Sequence, residues 1–171
     1  MRTISKTVYS FNELSDAAKE KAINELRGAN LQDTWWDFIY YDAEDVGLKI
    51  TGFDLDRNRH ATGSFTLSAA EVAQNVLNNH GEACGTYKAA QSFLEEYNPL
   101  FASYLDEESE SYESYEAEQH LQEVEDEFLS SLLEEYSLIL QKEYEYQYED
   151  EYVLSSIESN NFEFYEDGSL F

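Results

Sequence analysis

Residues 89–171 carry 24 acidic side chains and one basic one, Lys142, a net charge of −23, whereas residues 1–88 sum to −4. Self-repulsion of that size opposes compaction and favours a cationic partner or counterions. The acidic half can still pack if its apolar residues share one face. From Ala117 onward they do: Ala117, Leu121, Val124, Phe128, Leu132, Tyr136 and Ile139 recur in steps of three and four, the spacing of one helical face. Glu118, Glu123, Glu125, Asp126, Glu127, Glu134 and Glu135 fall largely outside that stripe. The pattern predicts a helix that buries one side and charges the other.

The densest charge lies between Asp106 and Glu127, where 11 of 22 residues are acidic and no Lys or Arg intervenes. As a helix this stretch would rise about 33 Å, or roughly one carboxylate per 3 Å. One strand of duplex DNA carries a phosphate about every 3.4 Å. The two linear charge densities are comparable, and that comparison leads to function.

Strong acidity usually means disorder. Here ten Phe, fourteen Tyr and two Trp among 171 residues supply enough aromatic area for a core. The charge argues against direct binding to nucleic acid or an anionic membrane. The single cysteine, Cys84, cannot form an internal disulfide or a CxxC metal site. The opening MRTISKTVYSF has no apolar signal core, and no run approaches the length of a membrane span. These features predict a soluble protein of a reducing cytoplasm.

Along the chain, Thr3–Tyr9 alternates like a strand. Ser15 caps a helix over Asp16–Arg27, with Ala18, Ala22, Ile23 and Leu26 inward, and Gly28 and Asn30 stop it. A second helix spans Gln32–Val46, with Trp35, Trp36, Ile39, Tyr40 and Ala43 as core candidates and Gly47 as its end. The aromatic run Trp35–Tyr41 is too apolar for one face, so part of it can alternatively serve as a partner-binding patch. Leu48–Asp56 reads as a strand, Arg57–Gly63 as a turn and Ser64–Leu67 as the returning strand. Ser68-Ala69-Ala70-Glu71 is a capping box that starts a helix running to about Asn79. Thr86–Tyr97 is helical, and Pro99 marks a break or kink before Leu100–Leu105. Tyr144, Tyr146 and Tyr148 alternate, whereas Tyr144, Tyr148 and Tyr152 make a helical row; helix is preferred because no breaker precedes them. Asn160 and Asn161 end the helical region, and Asp167-Gly168 suggests a terminal hairpin.

The predicted fold is α+β: predominantly helical, with a small antiparallel sheet and a long acidic C-terminal helix or helix pair. The sheet is expected to combine the N-terminal strand with the central hairpin, with the terminal hairpin as a further candidate member. Residues 1–105 form a near-neutral scaffold. Residues 106–171 form an acidic helical region with the terminal hairpin, packed on that scaffold as one domain.

No motif points to catalysis. Asp54, Asp56 and Asn58 imitate the start of a calcium loop, but Arg59 replaces the required Gly and Phe65 the terminal Glu. His60, His80 and His120 lack ligand spacing. Gly81–Tyr87, around Cys84, matches no nucleophile signature. Carboxylates are too abundant for any pair to suggest glycoside hydrolysis. No enzyme activity, metal or cofactor is expected.

The opening VYSFNELSDAAKEKAINEL (Val8–Leu26) resembles the start of a group of small uncharacterised acidic phage proteins that carry an antitoxin-like label. The ending NNFEFYEDGSLF (Asn160–Phe171) resembles that group's closing hairpin. This resemblance implies a phage or mobile-element origin and carries no catalytic residue across. In its charge the chain is also similar to phage DNA mimics, the anti-restriction and anti-CRISPR inhibitors.

The functional expectation is therefore a DNA-mimic inhibitor, acting in the host cytoplasm on a basic DNA-binding protein or complex. Asp106, Glu107, Glu108, Glu110, Glu113, Glu116 and Glu118 are the first candidate contacts, followed by Glu123, Glu125, Asp126 and Glu127. Tyr112 and Tyr115 can add flat contacts where bases or sugars would sit. Homodimerisation through the acidic helix would extend the charged surface to duplex length. The alternative is an acidic antitoxin-like partner that neutralises one basic protein without mimicking DNA.

Overall fold

The computed structural model describes residues 6–27, 31, 34–105 and 111–171, with side chains from residue 115 onward in the last segment. By its contacts the chain divides into two compact units, Met1–Trp35 with Lys142–Phe171, and Trp36–Gln141. The fold is α+β and predominantly helical, as the periodicities predict.

The first unit joins the two ends of the chain. Strand β1 (Tyr9–Ser10) pairs antiparallel with β4 (Glu163–Phe164), placing Tyr9 opposite Phe164. Helix α1 (Asp16–Leu26) begins at Ser15, whose hydroxyl accepts from the Ala18 N–H at 3.4 Å. Its buried face, Ala18, Ala22 and Leu26, packs with Val153 and Ile157 of α6 (Asp150–Asn160) and with Phe164. Lys21 Nζ donates to Asp167 Oδ2 at 2.6 Å, and Arg27 pairs with Asp150. Asn161 ends α6 in the left-handed region at φ 50°. Gly168 closes the terminal turn at φ 86°, and its Cα lies so close to the Ala18 carbonyl that a Cβ would overlap it. Only glycine meets both demands.

The sequence reading placed β1 earlier, over Thr3–Tyr9, in one sheet with the central hairpin. Residues 3–5 of that expectation lie outside the described residues. The described strands form two separate two-stranded sheets, β1 with β4 and Leu48–Asp54 with His60–Phe65. Strand alternation marks a segment as extended; it does not name the partner edge.

In the second unit, α2 (Asp37–Val46) ends at Gly47, with φ 95°. It starts later than expected: Trp35 and Trp36 form a turn, while Gln32 and Asp33 lie outside the described residues. The first strand of the hairpin ends two residues earlier than the sequence suggests, and the returning strand begins four residues earlier. Strand β2 (Leu48–Asp54) pairs with β3 (His60–Phe65), leaving a shorter turn. A register shift between Ile50 and Gly52 leaves Thr51 as the extra residue of a bulge. Helix α3 (Ala69–Asn79) starts with the expected capping box, in which Ser68 Oγ accepts from the Glu71 N–H and Glu71 accepts from the Ser68 N–H at 3.1 Å.

Helix α4 (Gly85–Tyr104) runs through Pro99, so of the expected break or kink the break does not occur. Pro99 has no N–H and so leaves the Glu95 carbonyl without its helical donor; both residues are exposed. A row of rings carries the packing past it: Phe93 and Tyr97 lie 4.9 Å apart, and Tyr97 and Phe101 lie 5.5 Å apart. Helix α5 (Ser111–Gln147) ends at a turn, and α6 follows after Tyr148 and Glu149, so the tyrosine-rich segment is helix, turn and helix. The stripe of α5 buries Leu121, Val124, Phe128, Leu132, Tyr136 and Leu140. Ile139, expected inward, is 37% exposed, and Leu140 takes its place. Successive steps of four drift about 40° around a helix of 3.6 residues per turn, so the buried line has rotated past Ile139 by that point.

Tyr136 is fully buried and donates to Asp42 Oδ2 at 2.8 Å. Burial first, and then the Asp42 carboxylate, raise its phenol well above the ordinary value near 10. The folded state thus prefers the neutral phenol. Its contribution is whole below about pH 10 and shrinks as pH rises above it, by at most about 1.4 kcal/mol per pH unit. Urea denaturation at successive alkaline pH values checks this: wild-type stability falls above pH 10, and Tyr136→Phe falls with a shallower slope. Equal slopes would remove Tyr136 as the cause.

Candidate partner-binding surface

In the second unit, α5 carries the central candidates, most of them exposed. Glu116, Glu118, Glu123, Asp126 and Glu127 are exposed, as is Glu134. At about 100° per residue, Glu116, Glu123, Glu127 and Glu134 fall within roughly 40° of one line. With a rise of about 1.5 Å per residue, that row spans roughly 27 Å. The exposed His120 lies beside it. Sequence density therefore overstates the density of the outward row, because Glu118 and Glu125 project from the other side of the helix.

Three of the expected contacts already have neighbours within the fold. Glu125 is half-buried beside Tyr97 of α4, whose phenol is raised by burial and then by that carboxylate. Asp126 Oδ1 accepts from Gln122 Nε2 at 2.9 Å. Tyr115 is 58% exposed, and its hydroxyl accepts from Gln119 Nε2 at 3.0 Å. Glu113 and Tyr112 belong to α5, but their side chains lie outside the described residues. So do Asp106, Glu107, Glu108 and Glu110 altogether.

Beside the row, α4 and α5 leave an open groove of about 430 Å³. Phe93, Val124 and Phe128 form its floor, and Glu96, Glu127 and Glu134 stand at its walls. Lys88 is the basic side chain among its lining residues. Glu135 reaches across so closely to Gly85, the first residue of α4, that a Cβ there would overlap the carboxylate. That helix has no acidic residue in its first turn and no side-chain cap from Cys84. Glu135 supplies negative charge where the helix dipole favours it. Neither Glu134 nor Lys88 was among the sequence candidates. The helical line through Glu116, Glu123 and Glu127 would have found Glu134.

Several of the other side chains weighed for chemistry make local contacts. His80 Nδ1 lies 2.7 Å from Thr86 Oγ1, and Nε2 lies 3.6 Å from Asp42 Oδ2. His60 Nδ1 lies 2.8 Å from the Asn58 carbonyl. Asp54 Oδ1 accepts from the Asp56 N–H at 2.8 Å, which closes a local turn. Arg59, expected in an open turn, instead reaches α5, donating to Ser137 Oγ at 3.0 Å and Gln141 Oε1 at 2.9 Å. Among the described residues, no group of three or more His, Cys, Asp or Glu side chains is placed to hold a metal ion. Among them too, no helix is long and apolar enough to cross a membrane.

The aromatic run divides. Ile39 and Ala43 are buried, while Trp35, Trp36 and Tyr40 are half-buried. Trp36 and Tyr40 meet the Phe53 ring edge-on at 5.5 and 6.4 Å. Phe38 and Tyr41 point into water. No family model, curated protein or solved structure matches the chain.

Proposed function

We propose that this chain is a phage-encoded DNA mimic. It inhibits a host nucleic-acid-binding defence complex, a CRISPR effector or a restriction enzyme, by occupying its basic DNA groove in the host cytoplasm. One observation carries the proposal: α5 offers a line of exposed carboxylates while no Lys or Arg occurs between Ser111 and Gln141. Carboxylates held on a packed helix meet the Lys and Arg that would otherwise meet phosphates, and their field steers the encounter. Inhibition is competitive and needs no cofactor or catalytic group. Dimerisation through the acidic helix belongs to the same proposal, because it would lengthen the row.

The second reading, an antitoxin-like partner of one basic protein, is favoured by a different observation, the exposed aromatic pair on α2. Displacement separates the two. The tagged protein is loaded with its basic partner from a bacterial lysate at low salt, then challenged with duplex DNA and, separately, with salt. A DNA mimic releases its partner to excess DNA, and raising salt from about 0.05 to 0.5 M weakens the complex steeply. Retention in excess DNA overturns the mimic and leaves the second reading. Retention at both salt concentrations overturns a charge-driven contact.

A further inference from the structure

We propose that the outer face of α2 is a receptor for arginine side chains presented by a partner protein. Phe38 is 55% exposed and Tyr41 is 64% exposed, large values for aromatic rings on a packed helix. They stand three residues apart, and so on neighbouring positions of one face. Asp45, one turn beyond Tyr41, falls between them in projection at about 100° per residue. Asp42, whose Oδ2 already accepts from Tyr136, flanks the pair on one side, and Glu44 on the other. All three carboxylates are exposed, and α2 contains no basic residue. Ile39, Ala43 and Val46 bury the opposite face, so the rings are held on a fixed support.

This combination selects its occupant. An anionic surface, whether nucleic acid or acidic lipid, is repelled by the carboxylates. A purely apolar partner would leave those charges facing its own buried area. A lysine ammonium satisfies the charge but offers no plane to the rings. A guanidinium does both: it stacks flat on an aromatic face and presents paired N–H donors to a carboxylate. The face is separate from the α5 row and stands whether or not that row enters a DNA groove.

The probes are hexa-arginine and hexa-lysine peptides of equal length and charge, titrated into the whole protein near physiological ionic strength. The arginine peptide is expected to bind about tenfold more tightly, with ring stacking supplying the difference. It should also shift the ring resonances of Phe38 and Tyr41 in NMR spectra. The double variant Phe38→Ala/Tyr41→Ala, checked for native helicity by circular dichroism, is expected to lose the arginine preference and keep the weak lysine binding. Replacing Glu116, Glu123, Glu127 and Glu134 by glutamine is expected to leave the preference intact, which separates this face from the α5 row. Equal affinities, unmoved ring resonances in the wild type, or a preference that survives the double substitution would each overturn the assignment. The wild-type titration decides the matter even if the double variant folds poorly.

Discussion

Replacing Phe128 by alanine lowers the unfolding free energy by about 3–5 kcal/mol. Phe128 is 3% exposed and touches aromatic rings from two other elements. It stacks on Phe93 of α4 at 4.4 Å, with 14° between the ring planes, and tilts against Phe65 of β3 at 5.3 Å. Along α5 it sits between the buried Val124 and Leu132. A cavity opened there is bounded by elements that other contacts already hold, so it collapses little and the cost stays at the upper part of the range. Phe128→Leu keeps most of the volume and is expected to cost less than about 1.5 kcal/mol. Urea denaturation followed by circular dichroism measures both. A loss below about 1 kcal/mol for the alanine variant would show that the α4–α5 packing is looser than described. Because Phe128 also floors the groove below Glu127, this experiment tests the support of the acidic row as well.

Neutralising that row has the opposite effect on stability and a large effect on binding. The variant Glu116→Gln/Glu123→Gln/Glu127→Gln/Glu134→Gln removes four exposed charges from a chain of net charge −27. The side chains keep their size, and the ion pair lost, Glu134 Oε1 with Arg59 Nη2 at 4.0 Å, is largely exposed on its acidic side and so contributes little. Relief of self-repulsion is expected to raise the melting temperature at low salt. Affinity for the basic partner is expected to fall about a hundredfold, since exposed ion pairs contribute up to about 1 kcal/mol each and several act together. Most of the loss should appear in the association rate, and it should shrink as salt rises. Calorimetry and stopped-flow binding read the two quantities independently. A variant that gains stability and keeps its affinity would reduce the row to a solubility face.

The elements that sequence reveals well are those closed by neighbours in the chain. Ser68 and Glu71 form their capping box because the partners are three residues apart. Gly47 and Asn161 end α2 and α6 in left-handed conformations, which short-range sterics assign to such residues. The stripe from Leu121 to Tyr136 is equally local, since spacing alone puts those side chains on one side of a helix. The helical reading of the tyrosine-rich segment holds up to Gln147, but the turn at Tyr148–Glu149 has no breaker residue to announce it.

The candidate site was legible in kind and less so in geometry. Charge counts located α5 and its carboxylates. They could not show that Glu125 turns toward Tyr97, or that Glu134 continues the row. Nor could they separate Trp36 and Tyr40, which lean on Phe53, from the exposed Phe38 and Tyr41. Each distinction depends on where a second element lies.

By itself, the sequence determined the predominantly helical α+β character, the caps, and an acidic long helix with one apolar side. These follow from hydrogen bonds and periodicities spanning a few residues. Only the tertiary structure decided that β1 pairs with β4 across the whole chain, that Pro99 stays within α4, and that Leu140 replaces Ile139 in the buried stripe. It also drew contact boundaries beside Trp36 and Gln141, whereas the change in charge falls near residue 105. The physical reason is common to all of these: long-range packing depends on the shape and position of a partner surface, which local spacing does not encode.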